Sequence, residues 1–127
     1  MSRTLYFILV IATVIAGLAV HLHGSALGGS TRDVLGDALW AAMMFWLVSC
    51  VVPRRRPVVR AVVALLVCYL VEVGQLIQHP LITGLRSSTI GHLVLGSDFD
   101  ARDLIAYAAG VAAAAVIDIL VRSRRSQ

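Results

Sequence analysis

Apolar residues run almost without interruption over 5–22, 34–52, 58–78 and 101–121, and polar residues gather between these runs. A helix rising about 1.5 Å per residue needs about 20 such residues to cross a bilayer, so each run predicts a spanning helix. Pro53 with Arg54, Arg55 and Arg56 stops the second run abruptly, and Pro80 breaks the chain just past the third. The expected fold class is all-α. It is an integral membrane four-helix bundle, one membrane domain over 1–127.

The connections carry their own signals. Ser30, Thr31, Arg32 and Asp33 read as a capping box that starts the second helix early, after a flexible loop at Gly28, Gly29 and Ser30. Between His79 and Asp100, Leu81, Ile82, Leu85, Ile90, Leu93, Val94 and Leu95 make an amphipathic stretch. It predicts a short interfacial or re-entrant helical segment between helices 3 and 4. Small residues at four-residue spacing suit close helix contacts in lipid. They are Ala106, Gly110 and Ala114 in the fourth run, and Ala12 with Ala16 and Thr13 with Gly17 in the first. Generic small residues of an alanine-rich chain are the competing explanation for any one pair.

Composition strengthens this picture. Hydrophobic residues make up 59% of the 127 residues, more than a soluble domain of this length can bury. The net charge of +4 comes with no lysine, and the arginines sit beside the apolar runs. That placement is a topology signal, and no aromatic-interleaved basic patch suggests a nucleic-acid partner. Arg3, then Arg54, Arg55, Arg56 and Arg60, then Arg122, Arg124 and Arg125 all fall on one side of alternating crossings. The arginine rule makes that side the cytoplasm, with both termini there. A cleaved signal peptide is the alternative for the first run, but the run is long for one. Cys50 and Cys68 lie inside apolar runs without metal-ligand or redox spacing, and read as buried free thiols.

The acids sort differently. Asp33, Asp37, Glu72, Asp98, Asp100 and Asp103 fall toward the outer side, as do His21, His23, His79 and His92. Asp118 lies near the inner side, one turn before its expected partner Arg122. Glu72 is the sharpest residue, because an unpaired carboxylate in a span costs roughly 2.5–3.5 kcal/mol on insertion scales. Glu72, Gln75 and His79 share one helix face, and Asp103, Tyr107 and Gly110 share another. A binding or proton-handling site at Glu72 competes with a buried ion pair to Arg86 or Arg102. Helix-start positions alone also account for Asp37, Asp100 and Asp103. No spaced metal motif and no nucleophile motif is present, so neither a metal, a cofactor nor catalytic residues are expected.

Glu72-Val73-Gly74-Gln75 resembles the Glu-x-x-Gln of VanZ-like membrane proteins, and Asp103 through Gly110 resembles their Asp-x-x-x-Asn-x-x-Gly. Gly36-Asp37-Ala38-Leu39-Trp40, Arg86, and Gly91 through Asp103 look closer still to a related small bacterial membrane family, domain of unknown function 2809. The founding VanZ-like protein is associated with teicoplanin resistance. Here Ala38 and the Leu39-Trp40 pair replace the lysine and histidine that often follow the first aspartate, and Tyr107 replaces the asparagine. Both departures weaken a transfer of that role. The resemblance implies a multi-pass protein of the bacterial cytoplasmic membrane.

The residues then favour a binding module at the outer boundary of the membrane. Glu72, Gln75, Arg86, Asp103, Asp37 and Tyr107 are the ligand-binding candidates. Partners would be membrane lipids or a lipid-linked envelope precursor, and a homo-oligomer is compatible. The alternatives are a transporter or proton-coupled channel component with Glu72 as coupling group, and a structural scaffold. Transport is disfavoured because the third run is apolar from Val62 to Cys68 and Asp118 stands alone.

Overall fold

The computed structural model describes residues 2–74 and 101–125. The four apolar runs form four helices: α1 (Arg3–His23), α2 (Gly29–Val51), α3 (Pro57–Gly74) and α4 (Ala101–Arg125). All four are long and apolar enough to cross a membrane, which fits a multi-pass membrane protein. The segment expected to be interfacial or re-entrant lies outside the described residues.

Local chemistry sets the helix ends. Ser2 caps α1, its Oγ accepting from the Leu5 N–H at 3.2 Å. One turn of 3-10 helix, Gly24–Leu27, links α1 to α2. The expected loop at Gly28, Gly29 and Ser30 is shorter than its composition suggests, because Gly29 and Ser30 are already helical. Gly28 makes the turn with φ +81°, a left-handed conformation that glycine adopts without a Cβ clash. Ser30 therefore lies inside the first turn and is not the N-cap, so the capping box does not form. Pro57 opens α3 at the first helical position, where its missing N–H costs nothing.

Helix α2 lies at the centre and packs against α1, α3 and α4, while α3 also packs against α4. The buried positions form stripes at helical spacing. On α3 the stripe is Arg60, Ala64, Cys68 and Glu72. On α4 it is Tyr107, Val111, Ala114 and Asp118; on α2 it includes Ala41, Phe45 and Ser49. Each stripe is apolar in the middle and polar at an end. Phe7, Ile8, Ile15, Leu70 and Ile105 point away from the bundle and are exposed, as expected where lipid is the solvent.

The small-residue expectation holds on one helix and fails on the other. Ala106, Gly110 and Ala114 are all buried on α4. A Cβ on Gly110 would strike the Ala38 backbone on α2, meeting its carbonyl oxygen and lying 2.8 Å from its carbonyl carbon. The α2–α4 crossing therefore depends on that missing side chain. On α1, Ala12 is exposed and Gly17 has open space where its Cβ would be, so neither pair makes a close crossing.

Candidate functional site

The sequence-predicted residues that the structure describes gather at one end of the bundle. Glu72 is fully buried on α3, two residues from the end of the described helix. The Tyr107 hydroxyl, from α4, donates to Glu72 Oε2 at 2.7 Å, and Tyr107 is itself only 4% exposed. The Trp40 ring of α2 lies against Tyr107, with ring centroids 5.7 Å apart. Asp103 occupies the first turn of α4, as a helix-start acid should. The carboxyls of Asp103 and of Asp37 on α2 lie close enough to interact electrostatically, and both act on Tyr107. Both aspartates are half-buried.

Four of the six candidates, Asp37, Glu72, Asp103 and Tyr107, thus converge from α2, α3 and α4. Gln75 and Arg86 lie outside the described residues. Beside the cluster, the Tyr69 hydroxyl donates to the Leu104 carbonyl at 3.5 Å and ties α3 to α4. The result is an end of the bundle where three carboxyl groups and one tyrosine gather beside Trp40. Such a set accepts hydrogen bonds from hydroxyl, amide or ammonium groups. Among the described residues, no group of three or more His, Cys, Asp or Glu is arranged to hold a metal ion. Asp33 and His23 are exposed, and Asp33 adds its charge to the surroundings of Asp37.

A second polar cluster occupies the opposite, arginine-rich end, and most of it was not anticipated. Arg60 is fully buried. Its guanidinium donates to Asp118 Oδ2 at 2.8 Å, Ser49 Oγ at 2.7 Å, the Tyr6 hydroxyl at 3.2 Å and the Arg55 carbonyl at 3.0 Å. It also sits over the rings of Tyr6 and Phe45. The Tyr6 hydroxyl donates to Asp118 Oδ1 at 2.6 Å. Arg122 pairs with Asp118 at 3.3 Å, as the sequence predicts, and donates to the Tyr6 hydroxyl and the Pro53 carbonyl. Asp118 therefore does not stand alone: it is the buried anion of a network drawn from all four helices.

The two clusters are separated by about 18 Å of helical rise along α3, from Arg60 to Glu72, and by about 16 Å along α4, from Asp118 to Tyr107. Ala41, Phe45, Ala64, Cys68, Val111 and Ala114 fill the interval as a buried apolar core. Both cysteines are free, Cys68 within that core and Cys50 half-buried, as their apolar surroundings imply.

The chain belongs to the family described as protein of unknown function (DUF2809), whose profile matches residues 27–111. The match takes in the central helix, the Glu72 helix and Asp103 with Tyr107, so every candidate site residue falls inside it. No solved structure matches the chain.

Proposed function

We propose that this protein is a membrane-embedded binding module for the polar head group of a lipid or a lipid-linked envelope precursor. The head group would sit at the end of the bundle that carries Asp37, Glu72, Asp103 and Tyr107, on the extracytoplasmic face that the arginine distribution implies. The observation that carries the proposal is the convergence of these side chains from three helices around a fully buried Glu72. Burying a carboxylate and a tyrosine at membrane depth is costly, and such groups in spans usually serve a site.

The chemistry narrows the ligand. Three carboxyl groups are acceptors and repel phosphate, so the recognised part of the head group is its hydrogen-bond donors: sugar or glycerol hydroxyls, amides or an ammonium. Trp40, half-buried beside Tyr107, offers aromatic surface against which a sugar ring or a cationic nitrogen can lie. Gln75 and Arg86 are assigned to the same site, Gln75 by its shared face with Glu72 and Arg86 as a planar donor for a phosphate beyond the acids. The VanZ-like resemblance of the Glu72 and Asp103 motifs agrees with an envelope setting. The buried apolar core between the two clusters favours this reading over a proton-coupled pathway.

A lipid panel tests the proposal. Phosphatidylethanolamine and phosphatidylcholine carry the same phosphate and net charge, but only the former has N–H donors. The purified protein should retain phosphatidylethanolamine or a hydroxyl-rich glycolipid over phosphatidylcholine. Glu72→Gln should remove the preference while leaving the helices folded. Equal retention of all three lipids by the native protein contradicts the proposal.

A further inference from the structure

The arginine-rich end carries a cavity of about 490 Å³ that the acid-lined site does not use. Arg3 at the start of α1, Val51 at the end of α2, and Val52, Pro53, Arg54 and Arg55 of the following turn line it. The three guanidinium groups have no acceptor among the described residues, and all three residues are exposed. The backbone that presents them is held in place. Arg60 donates to the Arg55 carbonyl and Arg122 to the Pro53 carbonyl, so the buried network fixes the turn from beneath. The Arg55 N–H closes the turn on the Val52 carbonyl at 3.2 Å. The N-terminus of α1 adds the positive end of a helix dipole.

We propose that this cavity binds the phosphate of an anionic phospholipid head group. Three arginines lining one cavity suit a phosphodiester, because guanidinium groups donate in pairs to phosphate oxygens. The other wall of the cavity is apolar: Val51, Val52 and Pro53, with Val51 71% exposed at the rim. A free anion has no use for that wall, whereas the glycerol and first acyl carbons of a lipid do. The position also fits, since helix ends of spanning segments lie at the depth of lipid phosphates. Basic pockets between spanning helices recognise anionic head groups in this way.

The experiment uses the full chain in micelles of a neutral detergent and measures binding of phosphatidylglycerol, phosphatidylcholine and inorganic phosphate. Phosphatidylglycerol should bind more tightly than phosphatidylcholine, and millimolar inorganic phosphate should not displace it. The triple variant Arg3→Gln, Arg54→Gln, Arg55→Gln should weaken phosphatidylglycerol on the order of a hundredfold. Arg56→Gln, Arg124→Gln, Arg125→Gln removes the same charge from the same end outside the cavity and should leave most of the affinity. Equal losses in the two triple variants overturn the site in favour of diffuse attraction. No preference over phosphatidylcholine overturns it outright, and full displacement by inorganic phosphate makes it a small-anion site instead. The glycerol hydroxyls of phosphatidylglycerol also suit the acid-lined end, so the two triple variants, which change none of that end's residues, are what separate this site from that one.

Discussion

Asp118→Asn should destabilise the protein far more than its size implies. The substitution keeps the shape of the side chain and removes one charge. In the native protein that charge faces the fully buried Arg60 guanidinium at 2.8 Å and Arg122 at 3.3 Å. Without it, two guanidinium groups approach each other with no anion between them, and one has no route to water. Removing one partner of a buried pair typically costs about 3–5 kcal/mol, because the remaining charge stays desolvated. Three of the four groups that Arg60 donates to are neutral: Ser49, Tyr6 and the Arg55 carbonyl. They soften the loss and place the expectation near the lower end, about 3 kcal/mol. Trp46 is the natural probe, being 3% exposed and packed against Tyr6 and Phe45. Reversible unfolding in mixed micelles, followed by its fluorescence, gives the free energy. The paired replacement Arg60→Met with Asp118→Leu removes both charges and should recover most of the loss. A loss under about 1 kcal/mol for Asp118→Asn would refute the reasoning, since that is what exposed pairs contribute. A paired variant as unstable as the single one would show that shape, and not charge, holds this end together.

Further outcomes follow from the same geometry. Gly110→Leu should force α2 and α4 apart at Ala38 and lower stability by at least about 1–3 kcal/mol, whereas Gly17→Ala, with open space around it, should change stability little; unfolding of the two variants side by side checks this. Tyr107→Phe removes the hydrogen bond to Glu72 and should cost about 1.5–3 kcal/mol, with head-group retention falling in the same preparation. Cys68 should stay unreactive toward a small maleimide until the bundle unfolds, and a Cys50→Ala background isolates its signal for mass spectrometry. A reporter that matures only in the cytoplasm should be active when fused after Gln127, as the arginine distribution requires.

The sequence made the helices legible because a span has one dominant requirement, length in apolar residues. Glu72 was legible for the complementary reason, as the only acid of its own run and well inside it. Its neighbours Asp103 and Tyr107 followed from helical spacing, although spacing alone could not decide between a site and separate helix-start acids. The structure adds that Asp37 and Asp103, from different helices, lie within electrostatic reach of each other. Arg60 was not legible in the same way. An arginine near the start of a spanning helix is ordinary, and its burial depends on three partners far away in the chain, Tyr6, Ser49 and Asp118. One signal was available: Arg60, Ala64, Cys68 and Glu72 stand four residues apart, so the arginine lies on the same face as the buried glutamate. The start of α2 was misplaced because a Gly-Gly-Ser run suggests flexibility. In fact only Gly28 turns, and the helix begins at the next residue.

The central claim is that Asp37, Glu72, Asp103 and Tyr107 form one head-group site. Native mass spectrometry of the gently extracted protein tests it most directly, comparing the unmodified chain with Glu72→Gln, Asp103→Asn and the two combined. One site predicts a bound lipid or precursor on the unmodified protein, lost in either single variant, with the combined variant no worse than the more severe single one. An unmodified protein with no bound species, or a species retained equally by all three variants, would contradict the claim and leave the acid cluster as a structural feature of the bundle.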